Sequence, residues 1–198
     1  EFTARETGAD VTAVTISPEQ HDYAQRRIRD AGLEERVEIR LQDYRDIDGQ
    51  FDRIVSIEML EAVGEAYWPT YFRVLAERLR SPGSAMVQVI TVPDSYFEAY
   101  RSSLDFIQRY IFPGGLLLCP AKIEEYVNAA GLRIADTHMF GQSYAKTLAV
   151  WEEAFITRWQ AIERLGFDER FKRMWEFYLS YTAAGFRAGT IDLGQFRL

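Results

Sequence analysis

Basic runs, clustered histidines and long apolar stretches are what this sequence lacks. It holds 1 cysteine and 2 histidines in 198 residues. One cysteine, Cys119, excludes an internal disulfide and fits a reducing compartment. His21 and His138 have no Cys or His partner at helical or strand spacing, so no metal site is expected. Neither has a serine or cysteine nucleophile beside it, which removes support for acyl-enzyme chemistry. Net charge is −7 without any basic cluster, and nucleic acid needs a concentrated positive face. No apolar run approaches the roughly 20 residues of a membrane span. The opening residues do not read as a signal peptide, so the expected location is cytoplasmic.

What is present is an ordinary globular balance, 47% hydrophobic and 27% charged, with a high aromatic share of 14%. Val11–Ser17 is short, apolar and β-branched, as a strand buried on both faces would be. Ser17 as N-cap, Pro18 at N1 and Gln20 at N3 then open a helix to about Ala31, stopped by Gly32. Strands are expected at Val37–Leu41, Arg53–Ile57 and Ala85–Val92, with a helix over about Glu65–Arg80 closed by Ser81-Pro82-Gly83. Alternation of strands and helices argues for a mostly parallel sheet. Further on, Ser95–Ile111 has helical period, a helix starts at Pro120, Leu132–Met139 reads as a strand, and helices follow over about Tyr144–Leu165 and Asp168–Ala188. Thr190–Leu198 is expected as a closing edge strand. No repeat or linker divides the chain.

In open α/β sheets ligands lie beyond the carboxyl ends of strands. The residues there are Thr15-Ile16-Ser17, Gln42-Asp43-Tyr44, Ser56 to Glu61 and Gln88 to Thr91. Asp43 reads either as a turn cap or as an acceptor for a purine amine, and Tyr44 as a surface aromatic or a ring platform. Glu58 and Glu61 sit among Met59, Leu60, Ala62 and Val63, where a carboxylate is costly unless bonded. They mark a site or a charge preference at a helix start.

Taken together, VTISPEQ (14–20), DRIVSIEMLEAVGEAYWPTYF (52–72), VITVPD (89–94), DFIQRYIFPGG (105–115), SYAKTLAVWEEAF (143–155) and GFRAGTIDLGQF (185–196) resemble the cyclopropane fatty acid synthases and their mycolic-acid and fatty-acid methyltransferase relatives. The resemblance implies a Rossmann-like class I methyltransferase fold, α/β, with a mostly parallel sheet and an antiparallel last strand. The family's glycine-rich E-x-G-C-G-W-G segment is not in this sequence. The chain is therefore expected to be a single methyltransferase domain over 1–198, truncated at its N-terminus. The missing first strand would lie between those at Val11 and Arg53. Residues 94–120 and 143–188 would form the helical lipid pocket.

The resemblance implies S-adenosylmethionine as cofactor, with Thr15, Ile16 and Gln20 on its ribose and methionine side. Asp43, Tyr44 and Arg45 would hold the adenine, with Ser56 beneath. It implies a bicarbonate ion held by Glu61, Tyr144 and the Ile90 N–H. Gln88 stands where many relatives have histidine, and Thr182 where many have cysteine. The implied substrates are unsaturated phospholipid acyl chains, giving cyclopropane or methyl-branched products. Tyr96, Phe106, Tyr110 and Phe140 would face a cationic intermediate. Arg101, Arg109 and Lys122 would meet headgroups, in weak peripheral contact with the inner face of the membrane. A homodimer is compatible with this picture. A non-catalytic lipid-binding module and a small-molecule methyltransferase are the alternatives.

Overall fold

Ser17 caps its helix as the sequence leads one to expect, its hydroxyl oxygen accepting the Gln20 N–H at 3.2 Å. This local device organises the first of two compact units, Glu1–Gln50 and Phe51–Leu198, in the computed structural model, which describes residues 1–198. The first unit runs α1 (Phe2–Thr7), β1 (Val11–Thr15), α2 (Pro18–Asp30) and β2 (Val37–Leu41). β1 and β2 are parallel, in register from Val11 beside Val37 to Thr15 beside Leu41. Ala4, Ile28 and Val37 are buried between helices and strands, with Val11, Leu33 and Ile39 packed on them.

The second unit comprises β3 (Phe51–Ile57), α3 (Trp68–Arg78), β4 (Leu79–Thr91), α4 (Phe97–Arg101), α5 (Pro120–Ala129), β5 (Asp136–Met139), α6 (Gly141–Thr157), α7 (Trp159–Glu163), α8 (Glu169–Ala188) and β6 (Asp192–Arg197). Its four-stranded sheet has the order β3-β4-β6-β5. β3 and β4 are parallel, whereas β6 is antiparallel to both of its neighbours. β6 is therefore an interior strand, not the expected edge. Leu193, Gly194 and Phe196 are buried on it, which suits pairing on both sides. β3 has a strand on one edge only, and Val55 and Ile57 on it are 66% and 52% exposed.

Two aromatic-rich layers complete this unit. Trp68, Tyr71 and Phe72 of α3 are buried, and Phe72 stacks on Tyr126 of α5 at 6.0 Å between centroids. α6 and α8 pack together through Ala145, Leu148, Leu179, Ala183 and Phe186, over Leu193 of β6. α6 begins at Gly141 because its N–H bonds Asp192 Oδ1 at 2.8 Å. A Cβ there would collide with that oxygen and lie 2.9 Å from Phe186.

Two expected helices are interrupted. Residues 95–111 form α4 and a separate π-helical turn, Ile107–Ile111. Ser102 and Ser103 turn their hydroxyls back onto the Glu98 and Tyr100 carbonyls, which ends α4. Asp105 and Gln108 then cap each other's backbone N–H groups at 2.9 and 3.0 Å, starting a new turn. Tyr144–Leu165 is divided at Arg158 between α6 and α7. The helix expected to Arg80 ends at Arg78, and β4 runs through Ser81-Pro82-Gly83.

Candidate active site

Beyond the carboxyl end of β3 the chain turns at Glu58, the one non-glycine residue with positive φ, at 50°. Ile57 is in register with Gln88 of β4, and the Glu58 N–H donates to the Gln88 carbonyl at 2.8 Å. The two side chains consequently meet. Glu58 Oε1 accepts from Gln88 Nε2 at 2.8 Å, and Glu58 Oε2 accepts from the Tyr144 hydroxyl at 2.8 Å. Gln88 Oε1 in turn accepts from Gln195 Nε2 at 2.9 Å, fixing which end of the Gln88 amide faces Glu58. The register of Gln88 opposite Gln195 between β4 and β6 creates that contact.

Glu61 follows on a 3-10 turn, Leu60–Ala62. Its Oε1 accepts the Ile90 N–H at 2.7 Å, a bond that β3 would supply had it continued. Its carbonyl accepts the Leu116 N–H at 3.0 Å, which ties down the segment after the FPGG turn. Glu61 Oε2 is buried without a hydrogen-bond partner. Burial pushes the carboxyl pKa up to about 7; the Ile90 N–H opposes this and the neighbouring Glu58 charge adds to it. Burial, then the bond to Glu58, raises the Tyr144 phenol, and burial plus the Glu58 charge raises that of Tyr178. Thr182 on α8 is buried, and its hydroxyl also lacks a partner. The groups bonded to both carboxylates are neutral: an amide, a phenol and a backbone N–H.

In the first unit the ends of β1 and β2 bring the expected polar residues to one rim. The Gln42 N–H donates to the Thr15 carbonyl at 2.9 Å, extending the ladder. Thr15 Oγ1 donates to Gln20 Oε1 at 2.8 Å, and Ile16 is 76% exposed. Asp43 takes the Arg45 guanidinium through both oxygens, at 2.9 and 2.7 Å, and also accepts the Arg45 N–H. That guanidinium holds the Asp43 carboxyl below its usual range. The Tyr44 hydroxyl is buried. In the second unit, Ser56 accepts from the Tyr71 hydroxyl at 2.8 Å.

Of the expected residues, the structure brings Gln88 and Tyr144 together at Glu58, not at Glu61, and pairs Glu61 with Ile90. Gln195 joins them through its register opposite Gln88, which no local sequence signal marks. The other expected groups have contacts of their own. Phe106 packs edge-on to Phe177 at 4.6 Å and near Tyr110, while Phe140 stacks on His138. Arg101 is paired with Glu65 and Glu98, Lys122 with Glu125, and Arg109 lies over the Tyr110 ring.

A family model described as mycolic acid cyclopropane synthetase matches residues 1–196. The chain belongs to this family. It is 47% identical over 192 residues to tuberculostearic acid methyltransferase UfaA1 of Mycobacterium tuberculosis, covering 96% of this chain and 45% of that protein. It is 38% identical over 197 residues to the cyclopropane-fatty-acyl-phospholipid synthase of Escherichia coli K12, covering 98% and 48%. The chain thus spans about half the length of the curated relatives it matches. Among solved structures, mycolic acid cyclopropane synthase CmaA1 complexed with SAH and CTAB superposes with a TM-score of 0.89 at 26% identity, covering 98% of this chain and 71% of that one. The fold is accordingly that of the cyclopropane synthase methyltransferases, with its antiparallel strand β6 set inside the sheet. No helix is long and apolar enough to cross a membrane.

Proposed function

We propose that this protein transfers a methyl group from S-adenosylmethionine to the double bond of unsaturated fatty acyl chains, giving cyclopropane or methyl-branched lipids. The observation that carries the reading is the pair of half-buried carboxylates, Glu58 and Glu61, bonded to Tyr144, Gln88 and the Ile90 N–H in a chain of this family. Names of relatives support the substrate class: one is a tuberculostearic acid methyltransferase and another a cyclopropane-fatty-acyl-phospholipid synthase.

The rim of the first unit fits the donor. Thr15 and Gln20 offer a hydroxyl and an amide to ribose hydroxyls and an amino acid, and Asp43, kept ionised by Arg45, accepts from amines or hydroxyls. Tyr44 and Ile16 supply apolar surface for a purine. When bound, S-adenosylmethionine supplies a sulfonium-activated methyl group.

An isolated alkene is a poor nucleophile, so positioning carries much of the rate. The rings of Phe106, Phe177 and Tyr181 form a contiguous surface on which an acyl chain can lie. An aromatic face near a cationic carbon stabilises it by about 0.5–2 kcal/mol. Arg101 and Lys122 already have acidic partners, so headgroup attraction is local and weak. Calorimetry with S-adenosylmethionine, followed by mass spectrometry of lipids from expressing cells, tests this. Binding and acyl chains heavier by one methylene are expected; no binding heat and unchanged lipids contradict it.

A further inference from the structure

The resemblance brings in a proton acceptor from outside the chain, a bicarbonate ion at Glu61, Tyr144, the Ile90 N–H, Gln88 and Thr182. The side chains here leave that ion two unpartnered atoms, Glu61 Oε2 and the Thr182 hydroxyl, and engage its remaining donors among themselves. The Ile90 N–H is taken by Glu61 Oε1, and the Tyr144 hydroxyl and Gln88 amide are taken by Glu58. A free anion would also meet the Glu58 carboxylate, whose partners Gln88 and Tyr144 are both neutral, and like charges in half-buried surroundings repel. We propose that the carboxylate of Glu58 replaces the ion and is itself the proton acceptor of the reaction. This assignment rests on reading the chain as an acyl-chain methyltransferase.

Three features place Glu58 for that task. Its φ of 50° is disfavoured for any residue with a β-carbon, and such backbone persists where the surroundings over-determine it. The relay from Gln195 through Gln88 aims an amide N–H at one carboxylate oxygen, and Tyr144 holds the other. Each oxygen keeps a second lone pair for a proton.

The step balances without an oxidant or reductant. Addition of the methyl group leaves a positive carbon next to the methylated one. Glu58 removes a proton from the added methyl, and the electron pair of that C–H bond forms a carbon–carbon bond. It closes a ring onto the positive carbon. Alternatively, once a hydride has moved from the methylated carbon, it forms a double bond to the former methyl, a methylene branch that becomes a methyl branch only when a separate hydride donor reduces it. Glu58 ends as the neutral acid and returns its proton to water.

The test uses the full chain and two variants, Glu58→Gln and Glu58→Gly, the second matching the positive φ. Wild type is expected to turn over equally in bicarbonate-depleted and bicarbonate-supplemented buffer. E58Q should lose at least ~100-fold in turnover. E58G should be equally slow in depleted buffer and recover several-fold with bicarbonate. Carbon-13 bicarbonate should give a bound NMR signal with E58G and none with wild type. Calorimetry should show all three binding S-adenosylmethionine alike. Wild type that binds the donor but needs bicarbonate, or E58Q that keeps its turnover, overturns the assignment of Glu58 alone. Wild type that fails to bind the donor overturns the functional reading and this assignment with it.

Discussion

Glu61 shows how one side chain couples folding to pH. Its carboxyl pKa is raised from 4.5 to about 7, chiefly by burial. A raised acid contributes stability that is full below about 4.5 and is lost as pH rises through about 7. Glu61→Gln keeps an acceptor for the Ile90 N–H and removes the ionisation. The stability of E61Q relative to wild type should therefore rise by about 1–3 kcal/mol between roughly pH 5 and pH 8. Urea unfolding at both pH values measures it, and a constant difference would contradict it. Tyr144→Phe deletes the hydroxyl that holds Glu58. It should cost about 1 kcal/mol in stability and ~100-fold in turnover, read from unfolding and initial rates; wild-type turnover would mean that this bond is idle. The acidic doublet was visible in the sequence because carboxylates among apolar neighbours demand explanation. Which of the two meets Tyr144 was not, since it depends on the turn at Glu58 and the register of Ile57 with Gln88.

Among elements, α6 decides where Tyr144 stands. Its first residue, Gly141, lies against Asp192 and Phe186 too closely for a Cβ. Gly141→Ala should cost about 1–3 kcal/mol by overpacking and lower turnover as α6 shifts. Thermal unfolding and kinetics check this; an unchanged melting temperature would show that the contact yields freely. Elements set by local chemistry were legible: Ser17, Pro18 and Gln20 gave α2, and the β-branched runs gave β1 and β2. Residues 95–111 misled because their apolar period is helical while Ser102, Ser103, Asp105 and Gln108 bond the backbone instead. The local pattern of β6 is that of an edge strand, and its interior place comes from pairing with both β4 and β5, a tertiary fact.

At the scale of the molecule, the two sheets lie in two compact units, each with its own cluster of polar groups at strand ends. The first unit offers polar groups at the ends of β1 and β2, and the second gathers the carboxylates around β3, β4 and α6. The α/β class and strand directions followed from alternation and resemblance, whereas the separation into units did not show in composition. The functional reading joins methyl donation to proton removal from the methyl just added. The most direct measurement supplies S-adenosylmethionine with a fully deuterated methyl group and follows the label in acyl chains by mass spectrometry. The product should keep all but one of those deuterons, the missing one having passed to the protein and on to water. Acyl chains that retain every deuteron, or that carry none, would contradict the mechanism.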